Sequence, residues 1–178
     1  MAIKHWKKIS QEVRYKNPWW KYIVEKYKVD ESNEGEYHYC YTEGSSFVIP
    51  IMDDGRILLV NQYRYLNDRE SIEFPGGGVK PGETAEQTAH KELIEETGYD
   101  GDLEKAGYFN PYSGITNELC HVYIARNLKP SGKYMKDEFE EFEIIPMSLA
   151  ELEEKINTNE IFNGMTLASW ALAKKLIT

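Results

Sequence analysis

Three glutamates, Glu92, Glu95 and Glu96, stand at i, i+3 and i+4 in the run TAHKELIEETGY. In a helix that spacing projects all three carboxylates to one side. Like charges so placed cost an isolated helix roughly 0.2–0.5 kcal/mol per pair. A hard, oxygen-seeking cation such as Mg²⁺ reverses the sign of that interaction, so the residue types point to binding of a divalent metal.

The elements that must position these carboxylates lie just before them, in EFPGGGVKPGETAEQ. Pro75 ends a short strand, and Gly76, Gly77 and Gly78 let the backbone turn and approach a ligand or ion closely. Pro81-Gly82 is a second turn. Thr84 followed by Gln87 fits a capping box, which places the helix start there, and Gly98 is the expected left-handed stop. Ala85 and Ala89 leave room beside the carboxylates, while Leu93 and Ile94 supply packing elsewhere around the helix. A solvated acidic face is the usual fate of a charge run, but here loop, cap and carboxylates agree.

This combination resembles the Nudix box, in which a glycine and a glutamate precede R-E, an aliphatic residue, any residue, E-E, any residue, G and an aliphatic residue. Gly77, Glu83, Glu92, Leu93, Glu95, Glu96 and Gly98 stand at those spacings. Lys91 replaces the arginine and Tyr99 the final aliphatic residue. Lysine keeps the charge but lacks the planar fork that clamps a carboxylate bidentately, so a looser hold on Glu83 is expected.

Composition bounds the rest. A chain of 178 residues is most simply one main domain with a small appendage. A formal net charge of −9 argues against a nucleic-acid or anionic-membrane partner, both of which want basic patches. Cys40 and Cys120 are too few for a disulfide framework and suit a reducing compartment. MAIKHWKKIS has no apolar core of a signal peptide, and no apolar run is long enough to span a membrane, so a cytoplasmic location is expected.

Residues 1–45 are read as an N-terminal extension and 46–178 as the main domain. In the extension, a β-prone run from Trp20 to Val29, a DESNEG turn and the alternation Tyr37, Tyr39, Tyr41 predict a β-hairpin with one aromatic face. An isolated hairpin is marginal in water, so that face must be covered, by the main sheet or by a second copy of the chain. In the main domain, strands are predicted over 47–51, 56–65, 103–108 and 119–126, and helices over 149–157, capped by Ser148, and 165–177. The element order is that of an α+β fold.

The resemblance covers most of the chain. It implies an α/β/α sandwich with a mixed sheet. Gln62-Tyr63-Arg64, Glu73-Phe74-Pro75-Gly76-Gly77 and Asp137-Glu138-Phe139-Glu140 are similar to the branch of ADP-ribose pyrophosphatases and nucleoside-diphosphate-sugar hydrolases. Ser113 departs from that branch, standing where its ADP-ribose hydrolases carry proline ahead of Gly114-Ile115-Thr116-Asn117-Glu118.

The branch implies Mg²⁺, or Mn²⁺ in its place, held by Glu92, Glu95, Glu96 and the Gly76 carbonyl. Gly77, Glu83, Lys91 and Gly98 are then the structural positions of the box. Glu138, or failing it Glu140, is the expected general base, and Arg64, Trp20, Tyr39 and Glu118 are candidates to bind substrate. The implied reaction is hydrolysis of the pyrophosphate of a nucleotide sugar by a homodimer joined through its N-terminal strands. A dinucleotide such as NADH, a nucleoside triphosphate, and a catalytically silent nucleotide sensor are the alternatives.

Overall fold

The N-terminal alternation forms strands, but three of them. The computed structural model describes residues 3–132 and 142–177. Strands β1 (Lys7–Lys16), β2 (Lys21–Lys28) and β3 (Glu34–Tyr41) make an antiparallel sheet in the order β1-β2-β3. The β2–β3 hairpin is the expected one, and the Asp30 carboxylate holds its turn by accepting the N–H groups of Ser32 and Asn33. The extra strand, β1, is exposed along its whole length, with register shifts between Lys8 and Ser10 and between Val13 and Tyr15. It buries no face, so no apolar period betrays it; backbone pairing to β2 alone makes it a strand.

The chain divides into two compact units. The first joins residues up to Glu43 with Asn110–Glu118. That second segment bonds to β3. The Cys40 N–H donates to the Ile115 carbonyl at 2.8 Å, and the Asn117 side chain exchanges two hydrogen bonds with the Thr42 backbone.

The second unit joins Gly44–Phe109 with the chain from Leu119 onward. Its strands are β4 (Ser45–Pro50), β5 (Ile57–Arg64), β6 (Arg69–Glu73), β7 (Gly76–Gly78), β8 (Tyr99–Phe109), β9 (Cys120–Pro130) and β10 (Phe142–Met147). Its helices are α1 (Ala85–Thr97), α2 (Leu149–Asn157) and α3 (Gly164–Ile177). One sheet has the order β7-β4-β9-β8, with β4 parallel to β9 and the other pairs antiparallel; β10-β5-β6 is a second, antiparallel sheet.

Every residue of β4 is buried, because both faces of its sheet are covered. Val48 packs with Tyr123, Ala125 and the α1 residues Ala89 and Leu93. Phe47 and Ile49 point the other way and join Val122, Ile124, Leu152 of α2 and Trp170 of α3. A mixed sheet between helices is the expected α/β/α sandwich in an α+β fold. The triple glycine differs from expectation: it is a short strand paired to the edge of β4, with Phe47 opposite Gly76 and Ser46 opposite Gly77. A Cβ on Gly76 would lie 2.6 Å from the Ser46 carbonyl oxygen, so only glycine lets the two backbones come together here.

Candidate active site

Helix α1 begins where its cap requires. Thr84 Oγ1 accepts the Gln87 N–H at 3.2 Å, and the Gln87 side chain accepts the Thr84 N–H at 2.9 Å. Gly98 ends the helix at φ 74°, its N–H donating to the Ile94 carbonyl. Between these ends the inner stripe is Ala85, Ala89 and Leu93. Ala89 is therefore a core residue and does not make room beside the carboxylates.

The three glutamates have different partners. Glu96 is 8% exposed, and its Oε2 accepts the Gly76 N–H at 3.0 Å. The Glu92 carboxylate lies over Gly77, where a Cβ would sit 2.6 Å from its Oε1. Glu95 turns outward to Lys91, whose Nζ is 3.2 Å from its Oε2. Burial works against the Lys91 ammonium, yet the Glu95 hydrogen bond and the charges of Glu92 and Glu95 carry its pKa above the ordinary value. Lys91 thus serves Glu95, one turn along; Glu83 instead accepts the Thr88 hydroxyl at 3.3 Å.

Among the described residues no three His, Cys, Asp or Glu side chains converge as a metal cluster. Two carboxylates, Glu92 and Glu96, meet the glycine strand. Their donors are all hard oxygens, and the missing Cβ of Gly77 provides the space in which Glu92 sits. That chemistry fits a hard divalent cation and suits no soft metal.

Residues 42–163 match the NUDIX domain. The chain belongs to the Nudix family. An ADP-ribose pyrophosphatase of Bacillus subtilis (strain 168) is 33% identical over 125 residues, which are 69% of this chain and 68% of that protein. A methanol dehydrogenase activator of Bacillus methanolicus is 32% identical over 126 residues, 70% of this chain and 68% of its own length. The crystal structure of an ADP compounds hydrolase has the same fold, with a TM-score of 0.85 over 99% of this chain and 96% of that one, at 17% identity. As a Nudix enzyme of the ADP-ribose pyrophosphatase branch, the chain is a pyrophosphohydrolase. The family generally uses a divalent metal.

In Nudix terms, Gly77, Glu83, Lys91, Glu92, Glu95, Glu96 and Gly98 all fall on the glycine strand, the turn after it, helix α1 or its stop. Arg64 ends β5 in the same unit, and its guanidinium grips the Glu73 carboxylate side-on, Nε to Oε1 at 2.7 Å and Nη2 to Oε2 at 2.5 Å. Glu73 is fully buried, 0% exposed. The sequence marks it only as the first residue of Glu73-Phe74-Pro75-Gly76-Gly77, since RESIE has no clear period to announce its burial or its partner.

Trp20, Tyr39 and Glu118 belong to the first unit. The Tyr39 hydroxyl donates to Glu25 Oε1 at 2.8 Å, and its pKa is pushed up to about 12, first by burial and then by that carboxylate. Trp20 is tilted against Tyr15, ring centroids 5.6 Å apart. Glu118 receives the Thr116 hydroxyl oxygen as acceptor for its N–H at 3.1 Å. Glu138 and Glu140 lie outside the described residues. No described helix is long and apolar enough to cross a membrane.

Proposed function

We propose that this chain hydrolyses the pyrophosphate bond of an ADP-ribose-like nucleoside diphosphate sugar with Mg²⁺, releasing a nucleoside monophosphate and a sugar phosphate. The observation that carries this reading is the bond from the Gly76 N–H to Glu96, which holds a buried carboxylate against the glycine strand. Burying a carboxylate is costly, and a divalent cation beside it relieves that cost. Similarity to an ADP-ribose pyrophosphatase over two thirds of either chain supports the substrate class.

Glu92, Glu96 and the Gly76 carbonyl are assigned to hold the metal, with Glu95 in reserve through a water. Bound there, Mg²⁺ would neutralise phosphate charge, activate water and stabilise the leaving oxygen. Gly77 keeps the Glu92 carboxylate in place by offering no Cβ. Arg64 is assigned to a substrate phosphate, Trp20 and Tyr39 to the base or sugar, and Glu118 to the substrate's polar edge. Glu138 is assigned the proton of the attacking water, with Glu140 as second choice.

The extension (1–45) is assigned to dimerisation and residues 46–178 to catalysis. Exposed Trp6, Ile9, Val13, Tyr15 and Trp19 give the extension an apolar surface suited to a second copy. A cytoplasmic enzyme that binds neither nucleic acid nor membrane fits the acidic composition.

The test is a hydrolysis screen of the purified protein with Mg²⁺ on ADP-ribose, ADP-sugars, GDP-mannose and UDP-sugars, with NADH and nucleoside triphosphates as comparison. Turnover of a nucleotide sugar in preference to the comparison substrates is expected. Turnover of none of the nucleotide sugars overturns the substrate class.

A further inference from the structure

We propose that Glu73 is a positioning residue for substrate binding, fixing the Arg64 guanidinium so that its outer edge meets a substrate phosphate. The proposal rests on the nucleotide-sugar reading above.

The geometry begins with strand parity. Val60 opposes Glu73 and Arg64 opposes Arg69 in the β5–β6 ladder, so Arg64 and Glu73 share one face of that sheet. The guanidinium is bound through Nε and Nη2, which turns the Nη1 side away from Glu73. The two ends of this pair differ sharply in exposure: the Arg64 side chain is 41% exposed and that of Glu73 is 0% exposed. A pair made only to stabilise the fold has no need to leave the arginine side chain partly exposed.

Glu73 also ties the arginine to the carboxylate helix. Immediately after it, the Phe74 N–H donates to Thr166 Oγ1 at 3.2 Å and the Pro75 carbonyl accepts the Val48 N–H at 2.9 Å. The Gly76 N–H then donates to Glu96. Residues 73–76 are thus anchored at every step, and the arm that would receive phosphate hangs from the segment that holds Glu96. Two parallel hydrogen bonds fix the plane of the guanidinium as well as its position. The Arg64 rotamer is therefore set before a ligand arrives, and less side-chain entropy is lost on binding.

Steady-state kinetics on the nucleotide sugar that the wild type turns over, with Glu73→Gln, Arg64→Ala, Arg64→Lys and the double variant Glu73→Gln/Arg64→Ala, test this. Glu73→Gln is expected to raise KM roughly ten-fold with kcat within about three-fold of wild type, the pattern of lost substrate binding. The double variant is expected to match Arg64→Ala alone in KM, because Glu73 acts only through the arginine. Arg64→Lys, which keeps the charge but not the fork, is expected to raise KM at an unchanged melting temperature. It decides the matter should Glu73→Gln not fold.

Unchanged KM in Glu73→Gln, or in Arg64→Lys where that variant decides, overturns the proposal, as does a double variant whose effects multiply. Calorimetric binding of inorganic pyrophosphate with Mg²⁺ to the same variants separates this from failure of the parent reading. If the wild type turns over no nucleotide sugar, pyrophosphate binding weakened equally by Glu73→Gln and Arg64→Ala still supports the positioning role. Binding unaffected by Glu73→Gln removes it.

Discussion

The Gly76 N–H donates to Glu96 Oε2 at 3.0 Å, and this bond joins the glycine strand to the last turn of helix α1. Glu96→Gln tests what the carboxylate contributes beyond the bond. An amide keeps an oxygen for Gly76, so the fold should persist; the negative charge that a metal requires is gone. Activity is expected to fall by about a hundred-fold or more, about 2.7 kcal/mol of barrier. A thermal melt close to wild type should accompany it. Unchanged turnover in a folded variant would sink the assignment of Glu96 to the metal.

Gly76 and Gly77 are adjacent yet should fail in different ways. A Cβ on Gly77 meets the Glu92 carboxylate, with Oε1 at 2.6 Å and Cδ at 2.8 Å, and that is the movable end of a side chain. Gly77→Ala should therefore displace Glu92 and depress activity while the melting temperature changes little. A Cβ on Gly76 meets the Ser46 carbonyl oxygen at 2.6 Å and the Phe47 ring at 2.7 Å, neither of which yields easily. Gly76→Ala should cost about 1–3 kcal/mol of stability, as overpacking does. Denaturant melts and turnover on both variants check the contrast; equal melts would contradict it.

What the sequence made legible was local. Thr84 with Gln87, Gly98 and Ser148 are short-range signals, and both helices begin or end where those residues stand. Glu92 and Glu96 stand one turn apart, and both meet the glycine strand. What escaped depends on partners far along the chain. Strand β1 exists through backbone pairing, and Glu73 is buried because Arg64, nine residues earlier, reaches it across a ladder. The outward turn of Glu95 did have a signal, the opposite charge of Lys91 at i−4, which is a favourable helix pair. Segment Asn110–Glu118 has no local mark of its attachment to β3, since that rests on bonds to Cys40 and Thr42.

The Lys91–Glu95 pair should be worth little to stability. Both side chains are partly exposed, 36% and 27%, and an i,i+4 ion pair of this kind contributes about 0.3–0.5 kcal/mol. A double-mutant cycle of Lys91→Ala with Glu95→Ala should return a coupling energy in that range, shrinking as salt is raised. A coupling several times larger would mean that the pair is not the weakly coupled, partly exposed ion pair its geometry indicates.

The pH response of the first unit follows from Tyr39 and Glu25. Tyr39 holds its proton to about 12 in the folded chain against an ordinary 10.0, because burial and the Glu25 carboxylate both oppose the phenolate. Between those values the unfolded chain releases a proton that the folded one keeps. The stabilisation is thus complete below pH 10.0 and is lost as pH rises to about 12. Glu25 acts at the other end. Burial raises its pKa, but hydrogen bonds from Lys8 and Tyr39 outweigh that and bring it below the ordinary 4.5, so its stabilisation is present above 4.5 and is lost as pH falls. With 13 tyrosines in the chain, the alkaline part is best read as the difference between wild type and Tyr39→Phe in absorbance titration at high pH. That difference should show one phenol titrating near 12, and Glu25→Gln should bring it back toward 10.0. A Tyr39 midpoint indifferent to Glu25→Gln would mean that burial alone sets it.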